Sequence, residues 1–366
     1  MSGVYISYPF CAQKCSYCNF ASGVLPRELE PRYIAAIKAE IGAFDWEWTP
    51  DTVYLGGGTP SQMTASDLDD LLALIPGRPW REATIEAAPG SITCDKASFW
   101  RQAGINRVSL GVQSFIQREL AKTGRKHTAE IVMREVDILR TSGISNINID
   151  LIAGLPHQTM NSWRESLAWI ERLAPPHVSV YMLEVDEDSR LGREVLFEGK
   201  RFGAPEVPGD ALIVEMYETA VSELARQSIH RYEISNFARP GFESVHNLKY
   251  WRLEPYAGFG ADAHSFDCRI RSQNVETAQE YVERWERGES TRAESTTANA
   301  AEEKFFVGLR LQEGVHPTPE EWAKYGEPIG RFVSDGLLAR DGESIRLTDR
   351  GVLVSNEVFE EFIGVE

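Results

Sequence analysis

The chain of 366 residues lacks any apolar run long enough to cross a membrane. A spanning helix needs roughly 20 consecutive apolar residues, so we expect no membrane span, although peripheral contact with a membrane is compatible with the sequence. The first residues, MSGVYISYPF, lack the basic stretch and apolar segment of a secretory signal. Only five cysteines are present, and three of them are clustered, which fits a reducing compartment better than a disulfide framework. These absences predict a cytoplasmic protein.

Positive charge is also scarce. The sequence has 38 Lys and Arg against 55 Asp and Glu, which gives a formal net charge of −17. Because such a field repels a phosphate backbone on average, we expect no nucleic acid partner. No short internal repeat or low-complexity segment is present. A hydrophobic content of 42% suits a globular protein with one large domain and a smaller one.

Short segments rich in Val, Ile and Tyr alternate with amphipathic segments. The predicted strands span residues 3–8, 52–55, 84–87, 107–111, 146–152 and 178–183. The predicted helices span residues 30–44, 65–74, 94–103, 129–141, 160–173 and 210–227. This alternation indicates an α/β fold with a parallel sheet, and six units fall short of the eight of a closed barrel. We therefore expect a partial (β/α)6 TIM-like barrel, with apolar runs such as NINIDLIAGL covered on both faces.

Polar residues stand where the predicted strands end. The segment GGGTPS follows the second strand, Glu86 ends the third, Gln113 ends the fourth and Asp150 lies in the fifth. In parallel α/β folds the carboxyl ends of the strands form the active site. Each residue taken alone could be a turn or capping residue, but their shared position predicts a site.

The pattern changes after about residue 270. We expect a barrel domain over residues 1–270 and a smaller, mainly helical domain over 271–366. Its predicted elements are a helix in EEKFFVGLRLQEGV, helices starting at Thr318 and Ile329, and a small strand pair. A winged-helix-like module fits this order. Because the segment is not markedly basic, structural packing is a better interpretation than DNA binding.

Three cysteines form the strongest motif: Cys11, Cys15 and Cys18, spaced C-x3-C-x2-C. Three closely spaced thiolates can hold three irons of a [4Fe–4S] cluster and leave the fourth open for a ligand. Zinc is the competing interpretation, but its sites usually add a second pair of Cys or His ligands. Cys94 and Cys268 are isolated in sequence. Coincidental core cysteines are the least favoured alternative.

The segments YPFCAQKCSYC, GGGTPS and INIDLIAGLP together resemble the radical S-adenosylmethionine (SAM) superfamily, in the branch related to oxygen-independent coproporphyrinogen III oxidase. The resemblance covers nearly the whole chain and implies a partial barrel with an accessory domain. It implies that the three clustered cysteines hold the cluster and that the amino and carboxylate groups of SAM bind the fourth iron. The SAM-binding residues that it implies are Tyr5, Gly57, Gly58, Thr59, Glu86, Gln113, Arg125 and Asp150. One departure is Ser7, where the family commonly has His.

Two features divide this branch. The oxidases carry a further Cys at the position of Phe20, and the motif HNLKYW resembles the H-N-x-x-Y-W motif of the heme chaperones of the branch. From chemistry alone, HNLKYW could be a structural loop, whereas the resemblance implies heme contacts by His246, Asn247, Tyr250 and Trp251. We therefore expect a heme chaperone with an acceptor protein and an electron donor as partners.

The alternative within the branch is an oxygen-independent coproporphyrinogen III oxidase. A tRNA-modifying radical enzyme is disfavoured by the charge and by the lack of a basic RNA-binding segment. We assign no catalytic residue from the sequence.

Overall fold

The computed structural model describes residues 2–364, and it contains the predicted alternation of strands and helices. The central strands are β1 (Gly3–Tyr8), β2 (Thr52–Gly57), β3 (Glu82–Ala87), β4 (Arg107–Gln113), β5 (Asn146–Ala153) and β6 (His177–Met182). The helices between and after them are α1 (Leu29–Ala43), α2 (Ala65–Ala73), α3 (Cys94–Gln102), α4 (Gln117–Thr123), α5 (Ala129–Thr141), α6 (Met160–Leu173), α7 (Arg190–Leu196) and α8 (Asp210–Arg226). The predicted elements of this region are therefore present, with small shifts at their ends.

Threonine begins four of these helices. Each side chain accepts a hydrogen bond from the backbone N–H three residues later; these residues are Thr64, Thr93, Thr128 and Thr159. Such a cap satisfies one of the free N–H groups at a helix start and is worth about 1 kcal/mol. The caps fix where the chain turns from loop to helix on the outside of the sheet.

The strands β1 to β6 lie side by side in chain order, and all are parallel. Beside β1 lie β9 (Tyr256–Phe259), β10 (His264–Phe266), β11 (Ile270–Asn274) and β12 (Arg292–Thr297), and beside β6 lie β8 (Asn236–Ala238) and β7 (His230–Arg231). The twelve-stranded sheet ends in β12 on one side and β7 on the other. The prediction of a partial barrel is therefore confirmed.

The interior of this barrel is polar. In β4, Val108 and Leu110 are buried in the apolar core, whereas Ser109 accepts a hydrogen bond from the Asn148 amide of β5 at 2.8 Å. Side chains alternate between the two faces of a strand, so in NINIDL the Ile and Leu residues join the core and Asn148 and Asp150 face inward. Both faces of this strand are covered, as the sequence predicts, but only the face under the helices is apolar.

The sheet continues beyond residue 270, since β11 and β12 belong to it. Helix α10 (Ala278–Glu286) lies between them and packs on α1: the Arg32 guanidinium donates to both carboxylate oxygens of Glu286 at 2.7 and 2.6 Å. The Tyr281 hydroxyl donates to Glu40 at 2.6 Å. Because residues 271–297 are bound to the barrel in this way, we propose that the second domain begins near residue 298 rather than at 271.

The remaining elements are α9 (Val245–Trp251), which precedes β9, and the C-terminal α11 (Ala300–Gly308), α12 (Pro319–Ser334), β13 (Leu338–Asp341), β14 (Ser344–Leu347), α13 (Asp349–Leu353) and α14 (Ser355–Glu360). The strand pair is an antiparallel hairpin. The winged-helix interpretation of this order stays a prediction. No helix among residues 2–364 is both long and apolar enough to span a membrane.

The two helices predicted from Thr318 and Ile329 are one helix, α12. It begins at Thr318, whose side chain forms a capping box with Glu321, and it continues through Pro328. Proline removes one helical hydrogen bond, but Tyr325, Ile329 and Phe332 lie on one buried face. Packing of that face outweighs the local penalty, because tertiary contacts supply most helical stability in proteins.

Candidate functional site at the barrel mouth

The cysteine loop follows β1 and is bound to the carboxyl ends of the strands. The Cys11 N–H donates to the Gly23 carbonyl at 2.8 Å, which closes the loop on itself. The Thr59 N–H, just after β2, donates to the Phe10 carbonyl at 3.0 Å. The loop therefore lies at the end of the barrel that the positions of the polar residues predict, and we call this end the mouth.

The three clustered cysteines are half-buried, whereas Cys94 and Cys268 are exposed and lie elsewhere. Burial raises the pKa of the Cys11 thiol, opposed by hydrogen bonds with the Thr59 and Ser22 hydroxyls. The neighbouring thiols of Cys18 and Cys15 raise it further. Thiolates clustered in this way repel each other, and a positively charged metal centre removes that repulsion.

The choice between a cluster and a zinc ion rests on the sequence spacing of the thiols. Within residues 2–364, no three Cys, His, Asp or Glu side chains are placed so that they could hold a single metal ion. Cys94 and Cys268 are exposed and lie outside the loop, so neither completes the second ligand pair that a structural zinc site usually has.

The glycines after β2 allow close approach of two backbone segments. A Cβ on Gly58 would lie 2.7 Å from the Tyr8 carbonyl oxygen and 2.8 Å from that of Phe10. Gly57 has φ of +100° and lies under the Tyr5 hydroxyl, 3.5 Å from where a Cβ would be. Gly58 is therefore needed to seat the cysteine loop, whereas Gly57 has the conformational freedom that a cofactor-facing turn requires.

Two carboxyl groups face each other below this turn. Glu86 accepts a hydrogen bond from the Tyr54 hydroxyl at 2.8 Å, and Asp150 accepts one from the Asn148 amide at 2.6 Å. Burial, with the nearby Asp150 as a smaller cause, raises the pKa of Glu86 to about 7. Burial also raises the pKa of Asp150. Such a pair accepts a cationic group readily, because a cation relieves the repulsion between the two.

Cationic and amide groups lie opposite this acidic pair. Arg125 donates to the Gly111 carbonyl at 2.6 Å and to the Tyr17 hydroxyl, within the cysteine loop, at 3.0 Å. A Cβ on Gly111 would lie 3.2 Å from Gln113 Nε2 and 3.4 Å from Arg125 Nη2, so these two side chains converge. The buried Gln113 Oε1 has no hydrogen-bond partner in the described structure. The mouth thus offers both acidic and basic groups, which suits a zwitterion such as an amino acid moiety.

The HNLKYW segment lies at the other end of the barrel, which we call the base. It forms α9, and the His246 ring is fully buried beneath Tyr54. Its Nδ1 is hydrogen-bonded to the Thr52 hydroxyl at 2.8 Å and its Nε2 to the Tyr250 hydroxyl at 2.7 Å. Burial lowers the pKa of His246 to about 3, so the ring is neutral. Both ring nitrogens are occupied by protein contacts.

The other motif residues are distributed around α9. Asn247 and Trp251 are half-buried. The Trp251 indole lies under the Arg310 guanidinium, 4.5 Å from the ring centroid, and its Nε1 has no partner among the described residues. The structure therefore brings the predicted SAM residues together with the cysteines at the mouth, and it separates the predicted heme residues from them.

Comparisons with known proteins agree with this architecture. The Radical SAM superfamily model matches residues 5–170, and the HemN C-terminal domain model matches residues 296–354. A heme chaperone HemW from Bacillus subtilis is 35% identical, with 100% of each chain covered. One from Lactococcus lactis is 34% identical, covering 99% of this chain and 97% of that protein.

The chain belongs to the HemW family.

Among solved structures, the coproporphyrinogen III oxidase HemN from Escherichia coli, described as a radical SAM enzyme, has a TM-score of 0.85. The match covers 99% of this chain and 90% of that one at 21% identity, and it confirms the fold alone. The predicted family is confirmed, and the start of the C-terminal domain match at residue 296 agrees with a boundary later than residue 271.

Sequence reasoning missed the residues that line the barrel below the mouth. Arg107, the first residue of β4, is buried. The Glu82 carboxylate accepts hydrogen bonds from the first N–H groups of α9, those of Val245 and His246, at 2.9 and 3.0 Å. Tyr54 joins the two ends by contacting Glu86 and His246. The alternation of polar and apolar residues in each strand is the signal that could have revealed an inward polar face.

Proposed function

We propose that this chain is a heme chaperone that binds heme and passes it to acceptor proteins, while carrying a [4Fe–4S] cluster and SAM. The observation that carries the proposal is the end-to-end similarity to proteins named heme chaperone HemW at 34–35% identity. The oxidase, by contrast, is similar at the level of the fold. Phe20, which stands where the resemblance expects a further Cys in an oxidase, supports the same choice.

The mouth residues have separate roles in this proposal. Cys11, Cys15 and Cys18 hold three irons as thiolates, and Thr59 hydrogen-bonds the first of these sulfurs. Gln113 and Arg125 orient the carboxylate of SAM, since both converge on one side of the mouth. A cluster held by these three thiolates would supply one-electron reducing chemistry beside the sulfonium of SAM.

The remaining mouth residues complete the SAM site. Glu86 and Asp150 provide negative charge for cationic groups of SAM, and Tyr5 limits the access of water from the β1 side. Gly57 lets the backbone approach the ligand. No residue of the chain is assigned a role in a reaction on a second substrate, because transfer of heme needs none.

The remaining partners are an electron donor for the cluster and a protein that accepts heme. We place this activity in the cytoplasm, where thiols stay reduced. Peripheral membrane contact is compatible with this proposal, since an acceptor can itself be membrane-bound. Cell fractionation under anaerobic conditions tests the placement, and recovery of the protein in the periplasm would contradict it.

Anaerobic reconstitution followed by paired assays tests the proposed function. We expect stoichiometric heme binding, seen as a Soret shift on titration, and no formation of protoporphyrinogen from coproporphyrinogen III. Sustained formation of protoporphyrinogen, with no heme binding, would contradict the chaperone proposal and support the oxidase function.

A further inference from the structure

The large apolar side chains that are most exposed lie around the mouth. Among the described residues, three exceed 60% exposure: Phe197 at 68%, Phe20 at 66% and Val24 at 66%. Three more, at 37–48% exposure, lie in β6 (Tyr181) and in the segment after it (Val185 and Leu196). We call the following six residues the apolar rim: Phe20, Val24, Tyr181, Val185, Leu196 and Phe197. Apolar side chains exposed close together on a surface often mark an interaction or ligand-binding site.

The two segments that carry the rim are joined to each other. The Asn19 amide in the cysteine loop donates to Asp186 at 2.8 Å, directly beside Phe20 and Val185. The Leu191 N–H of α7 donates to the Ser16 carbonyl at 2.7 Å. The cysteine loop and the segment after β6 therefore form one continuous border of the mouth.

Cations without ion-pair partners stand on the same border. Arg190 and Arg201 flank the Phe202 ring, each 5.1 Å from its centroid. Lys122 is held beside the cysteine loop, because its carbonyl accepts a hydrogen bond from Ser16 Oγ at 3.2 Å. None of the four basic residues Lys14, Lys122, Arg190 and Arg201 belongs to a salt bridge within residues 2–364.

Two acidic residues of this border are engaged locally. Asp186 accepts the N–H groups of Asp188 and Ser189 at 2.9 Å, and Glu194 accepts the Arg201 N–H at 3.1 Å. Four further carboxylates of the segment, none in a salt bridge within residues 2–364, are those of Glu184, Glu187, Asp188 and Glu198. The border therefore combines exposed apolar surface with unpaired groups of both charges, and the basic ones are the partners that an anionic ligand would select.

We propose that the apolar rim is the docking surface for the porphyrin face of heme, with the two propionates paired to basic residues of the same border. This inference rests on the proposed function. Heme is a planar, mostly apolar dianion, and the rim offers both complements. At the base of the barrel, His246 could bind the heme iron only if its surroundings rearranged, because both ring nitrogens are hydrogen-bonded and the ring is fully buried. A face-on, surface-held heme also leaves directly to an acceptor.

Heme titration of the reconstituted full chain tests this site. The test variant is the double substitution Phe20→Ser and Phe197→Ser. The matched control is Leu74→Ser with Met133→Ser, two exposed apolar residues at the end of α2 and within α5. We expect the rim variant to lose at least about tenfold in heme affinity, from the lost apolar contact. The control should bind as the wild type does. Cluster and SAM-induced spectra check that each variant is folded.

A second pair of variants tests whether heme binds at the apolar rim or at the base of the barrel. We expect Lys122→Gln with Arg201→Gln to weaken heme binding about tenfold, in a salt-dependent way, and His246→Gln to leave it within about threefold. Two outcomes overturn the inference about the heme site but leave the proposed chaperone function standing. One is wild-type heme affinity in both rim variants, and the other is loss of heme binding in His246→Gln with its cluster intact. Absence of heme binding by the wild type overturns the proposed function and this inference with it.

Discussion

The mouth and the base of one barrel differ in how their polar groups are satisfied. At the base, both ring nitrogens of His246 are bonded to protein groups, and the Glu82 carboxylate caps α9. At the mouth, Glu86 has a raised pKa, Gln113 Oε1 has no described partner, and the nearby rim is exposed. The comparison teaches that members of one sequence motif can differ in availability: the nitrogens of His246 are engaged by the protein, whereas Trp251 Nε1 at the base and Gln113 Oε1 at the mouth have no described partner.

The largest expected effect at the mouth comes from Cys15→Ala. Two thiolates cannot replace three, so the variant should lose essentially all of the cluster absorbance after anaerobic reconstitution. Cys94→Ala is the matched control, because Cys94 is exposed and lies outside the loop. Equal loss of cluster absorbance in both variants would contradict the assignment of the cysteine loop as the cluster site.

At the base the corresponding change is His246→Ala, which should destabilise the fold. It leaves the Thr52 and Tyr250 hydroxyls buried without partners and opens a cavity, at a cost of about 3 kcal/mol in the free energy of unfolding. Urea denaturation measures this, with the exposed His316→Ala as control. A variant as stable as the wild type would show that the base is not a structural region.

A smaller effect is expected from Gly57→Val at the mouth. The side chain would enter the turn that faces SAM, in a backbone conformation with φ of +100°, so SAM affinity should fall at least about tenfold while the cluster persists. Gly90→Val shares a positive φ, +96°, but has open space around it. Calorimetric SAM titration of both variants separates strain from obstruction; equal affinities would refute the placement of SAM.

The pH dependence of stability should have opposite signs at the two ends. Burial lowers the pKa of His246 from 6.5 to about 3. Between these pH values the unfolded chain binds more protons at this residue than the folded chain does, so the free energy of unfolding rises with pH. Glu86, with its pKa raised from 4.5 to about 7, retains its proton longer in the folded state, so stability falls with pH across that interval.

Substitution by glutamine isolates each contribution to this pH dependence. His246→Gln should flatten the rise, although His127 and His177, whose pKa values are also lowered by burial, contribute in the same direction. Glu86→Gln should reduce the decline of stability with pH, to which Glu119, Glu135, Asp150 and Glu233 also contribute, because burial raises their pKa values too. Urea unfolding measured across the range checks both slopes, and a decline in Glu86→Gln as steep as in the wild type would contradict the assignment.

The mouth was largely predictable from sequence, and the base was not. Cysteine spacing, a glycine turn and polar residues at strand ends are local signals, and the structure brings the residues that carry them together at one end of the barrel. The hydrogen bond between His246 and Thr52 joins residues 194 positions apart. No local sequence pattern therefore reveals that the histidine is buried and hydrogen-bonded. Likewise, the continuity of α12 through Pro328 depends on packing of its buried face, which sequence propensity underestimates.

Hydrogen–deuterium exchange of the reconstituted protein, with and without heme, tests the central claim most directly. The account predicts heme-dependent protection in two segments at the mouth, residues 14–24 and 185–202, and unchanged exchange in residues 244–252 at the base. Protection confined to residues 244–252 would contradict it, because heme would then bind at the region that we assign to scaffold.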